Sequence, residues 1–238
     1  MSQTAQIKKF NFTESQLTKL CKMQDELNTY IHPNWKWQGF DWETAVNDEC
    51  LEILGHLGWK WWKDKTYKQG VTEANKAQIK LELIDLLHFV VSSRIENAPD
   101  GENGFLEVGI NVAFDPTGYG FYESVKTLQQ DALHYGINTD TVQFLTRLMH
   151  LVDMTEQEIL ETYTQKYVLN KFRQDHGYKD GSYVKEWELE DNLGGLRLED
   201  NEVLAREVKA LVLEGQDTTD ETILYERLEL RYNSRLNK

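Results

Sequence analysis

Glu49 and Glu52 stand three apart in NDECLEILGHLGWKWWK (47–63), and Glu82 and Asp85 stand three apart in KAQIKLELIDLLHFVVSS (76–93). Residues three apart on a helix share a face. Two helices packed side by side would therefore aim four carboxylates into one space. Like charges held together in apolar surroundings repel one another and lose hydration, which raises a pKa or destabilises the fold unless something cationic sits among them. Magnesium is the economical cation, because it binds carboxylate oxygens, water and phosphates without His or Cys. Two or more such ions can hold a nucleotide's phosphates, neutralise developing charge and acidify water, so the four residues read as metal-assisted phosphoanhydride hydrolysis.

A single Glu-x-x-Glu is ordinarily a solvated helix face. The second pair tips the reading toward a metal, because Glu82 and Asp85 interrupt a helix that is apolar almost all round. A carboxylate-bridged di-iron bundle would carry two Glu-x-x-His motifs. Here Asp85 and His88 offer one related spacing and His56 stands four from Glu52, so both histidines read as packing residues.

Two further groups could serve a nucleotide. Lys166, Asn170 and Arg173 fall at i, i+4, i+7, with Tyr178, Lys179, Tyr183 and Lys185 just beyond. Arg173 could grip a phosphate bidentately and the lysines could act as point charges, although a charged helix face is usually only solvated. Gln24 and Asn28, four apart, carry amides with the donors and acceptors to read a base edge, and Trp61 and Trp62 could form an apolar wall. Taken singly, such amides are commonly exposed and such tryptophans commonly core.

The elements that must position these groups are helical. Thr13 and Gln16 form a capping box ahead of a helix reaching about Ile31. A second helix is expected from Trp42 to Trp62, and a third from just after Thr72 to about Asn97. Residues 98–137 break the pattern with Gly, Asn and Asp around one weak helix near 122–134, and read as an inserted, mobile lobe. Its aromatics Phe105, Phe114, Tyr119 and Tyr122 are expected to be exposed. Helices follow over about 141–152, from Thr155 to His176, and near 202–213 and 220–232, with a loop-like stretch over 177–195. The expected architecture is all-α, a single-domain helical bundle.

Composition narrows the partners. The 238 residues carry 40 acidic and 26 basic side chains, a net charge of −14, which disfavours nucleic acid and anionic membranes. A polyanionic substrate would need a metal or a local cluster of Lys and Arg. No apolar run has the length of a signal peptide or membrane span, so the expectation is a soluble cytoplasmic protein. Cys21 and Cys50 fit neither a disulfide framework nor a zinc spacing and read as buried small hydrophobes.

The ordered motifs QDELN, NDECLEILGHLGWKWWK, LELIDLLHF, LNKFRQDHGYKDGSYVKEW and EDN together resemble the dimeric all-α dUTPases of the all-α NTP pyrophosphatase superfamily. The resemblance implies Mg²⁺-dependent hydrolysis of dUTP, and of dUDP, to dUMP, with Glu49, Glu52, Glu82 and Asp85 as metal ligands and catalytic carboxylates. It implies water attack at the β-phosphorus, with Glu49 activating the water. It places Gln24, Asn28 and Trp61 around uracil and deoxyribose, and Lys166, Asn170, Arg173, Tyr178, Lys179, Lys185 and Asn192 in motifs that close over the phosphates. It further implies a homodimer whose protomers complete one another's sites. Two alternatives stay open: a related all-α pyrophosphatase acting on dCTP or another nucleotide, and a dUTP-gated regulator that presents the lobe to a protein partner.

Overall fold

A computed structural model of the chain describes residues 8–63, 70–97, 110–114, 119–189 and 195–235. The described residues form eight α-helices, one short 3-10 helix and one two-stranded sheet. They divide into two compact units, Met1–Leu160 and Glu161–Lys238.

In the first unit, α1 (Glu14–Ile31) starts at the expected capping box: Thr13 accepts from the Gln16 amide while the Gln16 side chain reaches back to the Thr13 amide. A 3-10 turn, η1 (Trp35–Trp37), leads to α2 (Trp42–His56), whose first turn is capped by Asp41. The expected continuation to Trp62 does not occur. Leu57 caps the helix and Gly58 follows at φ +70°, a left-handed turn that glycine adopts without steric cost.

α3 (Lys76–Glu96) is the hub. It packs against α1, α2 and a further helix, α5 (Thr139–Leu151), and Ile79, Leu83, Ile84, Leu86, Leu87, Val90 and Val91 are fully buried. A helix with neighbours on several sides has no polar face to offer, which is why its sequence reads as apolar all round.

α4 (Phe121–Tyr135) occupies the second half of the expected lobe, yet it packs on α2 and α5 through Ser124, Val125, Leu128 and Ala132. Its Gln129 amide donates to Asn47 of α2 at 2.9 Å. Arg147 of α5 ties down its entrance through the Ser124 hydroxyl and the Tyr119 carbonyl. Of the aromatics expected to be exposed, Tyr119 is and Tyr122 is half-buried. Phe114 is instead buried, because the 110–114 segment is pinned by a two-way backbone bridge from Phe114 to Lys8 and by Asn111 on the Phe12 backbone. Phe105 lies outside the described residues. Both cysteines are buried, which pushes the Cys21 thiol up to about 12 and raises Cys50 as well.

α6 (Glu156–Asp175) begins in the first unit and continues into the second, which adds β1 (Glu186–Leu189), β2 (Leu196–Glu199), α7 (Asp200–Glu214) and α8 (Glu221–Asn233). β1 falls within the stretch expected to be loop, and β2 begins just beyond it. The two strands pair antiparallel with Trp187 opposite Leu198, both buried. Phe172, Trp187 and Tyr232 form an aromatic core, their ring centroids 5.2–5.9 Å apart.

Candidate active site

The packing of α2 on α3 sets the carboxylates. Val46, Cys50, Ile53 and Leu57 are buried along one stripe of α2. At 3.6 residues per turn, Glu49 lies about 70° round from that stripe and Glu52 about 130°. Glu49 therefore flanks the α2–α3 seam while Glu52 turns outward. Oxygens of Glu49, Glu82 and Asp85 lie within 4.8 Å of one another, whereas Glu52 is exposed and outside the group. Glu82 is buried, and His56 holds its Oε1 through Nε2 at 3.0 Å. The end of α2 is itself fastened: Asn75 donates to the His56 carbonyl at 3.1 Å and accepts from the Thr72 amide at 2.7 Å.

Three carboxylates this close repel whatever else each touches. The donor set is oxygen only, and Glu49 and Asp85 are half-exposed, leaving room for water or phosphate oxygens on an added ion. That combination fits a hard divalent cation such as Mg²⁺ and fits poorly the softer metals that select imidazole or thiolate.

Gln24 and Asn28 do not project from an open helix face. They are 3% and 9% exposed and bonded to each other, Gln24 Nε2 donating to Asn28 Oδ1 at 2.9 Å. Asn28 Nδ2 donates to the Ser92 hydroxyl at 2.9 Å, and His88 Nδ1 meets Gln24 Oε1 at 2.6 Å. Trp61 is 67% exposed, with its ring edge-on to Trp62 at 5.9 Å. Trp59 in turn lies edge-on to Trp62 at 5.4 Å.

In the second unit the cationic stripe runs along α6 as spaced, but its charges face protein. Lys166 is fully buried and donates to Asn201 Oδ1 at 2.8 Å. Arg173 makes a bidentate pair with Asp200, through Nε to Oδ2 and Nη2 to Oδ1, both at 2.8 Å, and its Nη1 donates to Asn170 at 3.0 Å. The Tyr183 hydroxyl adds a 2.9 Å bond to Asp200 Oδ2. Burial alone would push the Asp200 carboxyl up. The hydrogen bonds and charge of Arg173, helped by Tyr183 and Lys166, outweigh burial and hold it below the usual carboxylate range. Burial and the Asp200 charge together push the Tyr183 phenol well up. Tyr178, Lys179 and Lys185 are exposed, with the Arg173 guanidinium 5.9 Å from the Tyr178 ring centre. Asn192 lies outside the described residues.

Sequence reasoning therefore missed His56 as the partner of Glu82, His88 and Ser92 as partners of the two amides, and Asp200 and Asn201 as partners of the cations. A histidine seven residues beyond Glu49 returns to the same side of the helix, which was a usable signal for His56. Nothing in local spacing marked Asp200, 27 residues from Arg173.

No curated protein matches the chain. The model of one family, described as dUTPase, matches residues 16–178, more than half of the chain and a span that contains the carboxylates, the amides and the α6 stripe. The chain belongs to the all-α dUTPase family, enzymes that hydrolyse dUTP.

Proposed function

We propose that the protein is a Mg²⁺-dependent dUTP diphosphatase that converts dUTP, and dUDP as well, to dUMP. The observation that carries this reading is the convergence of Glu49, Glu82 and Asp85 within 4.8 Å, inside the segment matched by the dUTPase family. In this reading Glu49, Glu82 and Asp85 would hold the metal, with Glu52 at the outer edge as a further candidate ligand. When bound, Mg²⁺ neutralises charge on the phosphate oxygens and acidifies nearby water. Glu49 accepts the proton of the attacking water. The water oxygen bonds to the β-phosphorus, and the bond from that phosphorus to the oxygen bridging to the α-phosphate breaks. dUMP leaves with the bridging oxygen, and pyrophosphate, or phosphate from dUDP, carries the new one.

Gln24 and Asn28 read the uracil edge, and Trp61 closes the apolar side of the base and sugar. Lys166, Asn170, Arg173, Tyr178, Lys179, Lys185 and Asn192 supply the phosphate-facing motifs, either by direct contact or by ordering those that make it. A variable lobe over 98–137 and a homodimer belong to the same reading.

The test is a steady-state assay over a nucleotide panel with and without Mg²⁺. dUTP should yield dUMP only with the metal, and Asp85→Asn should lower kcat/KM by more than about a hundredfold with helicity retained, since removing even an outer-sphere partner commonly costs 10–100-fold. Full activity in that variant would overturn the carboxylate roles, and preference for dCTP would overturn the substrate.

A further inference from the structure

The four groups around Gln24 and Asn28 form a chain with a fixed direction. Its end is a backbone carbonyl, that of His88, which can only accept; the Ser92 hydroxyl donates to it at 2.8 Å. With its proton so committed, Ser92 Oγ must accept from Asn28, so Asn28 turns its NH₂ to Ser92 and its Oδ1 to Gln24. Gln24 then turns its NH₂ to Asn28 and its Oε1 to His88, so His88 carries its proton on Nδ1. Amide orientation and histidine tautomer, ordinarily ambiguous from heavy atoms alone, follow here from one acceptor that cannot change its role.

We infer that Ser92 and His88 are specificity-determining positioning residues, which lock the polarity of the Gln24 and Asn28 amides and so make the site accept uracil and reject cytosine. This rests on the reading that those amides meet the base. At ring positions 3 and 4 uracil presents N–H and C=O, whereas cytosine presents N and NH₂, the reverse pattern. A carboxamide free to turn over would serve either. Turning Asn28 over here sets two amide NH₂ groups face to face at Gln24 and takes the Ser92 proton from the His88 carbonyl, so no single group can reverse alone. All four residues are buried, where a mismatched donor costs most. Asn28 is the most exposed of the four, and its amide has a second N–H and a second oxygen lone pair with which to address a ligand. Discrimination by a locked hydrogen-bonding site is far stronger than by shape alone.

The experiment measures kcat/KM for dUTP and for dCTP, with helicity and unfolding midpoint alongside, in Asn28→Ala, Ser92→Ala, His88→Leu and His88→Asn. Asn28→Ala should erase most of the dUTP:dCTP ratio. Ser92→Ala and His88→Leu should each lower it about tenfold, the scale of one misdirected buried hydrogen bond. His88→Asn, whose amide nitrogen can stand near the ring Nδ1, should recover it. A purely structural role would lower the unfolding midpoint and leave the ratio alone. If Asn28→Ala collapses the ratio while Ser92→Ala and His88→Leu leave it within about twofold, the inference fails and the base reading stands. If Asn28→Ala leaves the ratio unchanged, the base reading fails and takes the inference with it. Should Ser92→Ala not fold, the two His88 variants decide, and an unchanged ratio in His88→Leu overturns the inference.

Discussion

The two units treat charge in opposite ways. In the first, Glu49, Glu82 and Asp85 bring like charges within 4.8 Å of one another. In the second, the buried Asp200 carboxylate is surrounded by opposite charge and donors: Arg173 on two nitrogens, the Tyr183 hydroxyl and, further off, Lys166. Convergent like charge costs the fold repulsion that a cation bound among the carboxylates would relieve, which is the role the proposed function gives Mg²⁺. Convergent opposite charge is already satisfied and marks a place built to hold shape. Acidic and basic residues that look alike as helix faces in the sequence thus acquire different meanings from what the fold puts beside them.

The comparison breaks or holds most directly on the stability of two aspartate variants. Asp200→Asn leaves the Arg173 guanidinium, itself largely buried, without its bidentate partner. Loss of one partner from such a pair costs about 3–5 kcal/mol, read as a lower midpoint in denaturant unfolding at pH 7. Asp85→Asn should cost far less without metal, because whatever contact it loses is offset by removing one of three carboxylates held within 4.8 Å of one another. Acid sharpens the contrast. The Asp200 carboxyl is held below its unfolded value, so its stabilisation is complete above the unfolded pKa of about 4 and drains away as pH falls through the folded value. The wild type should lose that increment in strong acid and Asp200→Asn should have none to lose. Equal destabilisation by both variants at pH 7 would refute the distinction.

The positions of the helices were legible because local rules governed them: the Thr13–Gln16 box, the all-round apolar α3, the glycine after α6. Misreadings arose where a short-range feature overrode the pattern. The apolar and aromatic run after His56 reads as more helix, but Gly58 at positive φ ends it. Strands of four residues, Glu186–Leu189 and Leu196–Glu199, are too short for alternation to declare itself. The weak helix near 122–134 was visible, but its packing on α2 and α5 is a tertiary fact. At the site, spacing identified the carboxylate pairs yet could not say that helix rotation would draw in Glu49 and leave Glu52 outside. The α6 stripe was visible as well, and the partners Asp200 and Asn201 were not, because they come from a helix that begins beyond an intervening hairpin.

A smaller effect tests whether the like-charge cluster is held from outside its own members. His56 Nε2 lies 3.0 Å from Glu82 Oε1. His56→Leu removes the group that orients the buried carboxylate while leaving all three acids in place. The expected result is a 10–100-fold rise in the Mg²⁺ concentration needed for half-maximal activity, the usual range for losing an outer-sphere partner, with kcat at saturating metal changed much less. Circular dichroism and the unfolding midpoint report whether α2 still ends at the same place. If the Mg²⁺ requirement is unmoved, Glu82 is positioned by packing alone and His56 belongs with the structural residues.

The smallest effect separates the units by pH. His150 lies in the first unit, stacked on Phe10 at 4.0 Å and tilted against Phe114 at 5.0 Å, and its buried Nε2 meets no hydrogen-bond partner among the described residues. Burial, then the charge of Lys8, pull its pKa below the ordinary value, against the opposing pull of Glu156. A histidine lowered on folding is more readily protonated unfolded, so its contribution is complete above the unfolded pKa of about 6.5 and is lost as pH falls below it. Asp200 responds only near pH 4 and below, well under the pH at which the loss from His150 begins. Between pH 7.5 and 5.5 the wild-type unfolding midpoint should decline and that of His150→Leu should decline less, while Asp200→Asn should follow the wild-type slope from a lower start. A His150→Leu slope equal to the wild type would mean that protonation is accommodated where the N-terminal segment meets α5, and that near-neutral pH does not distinguish the two units.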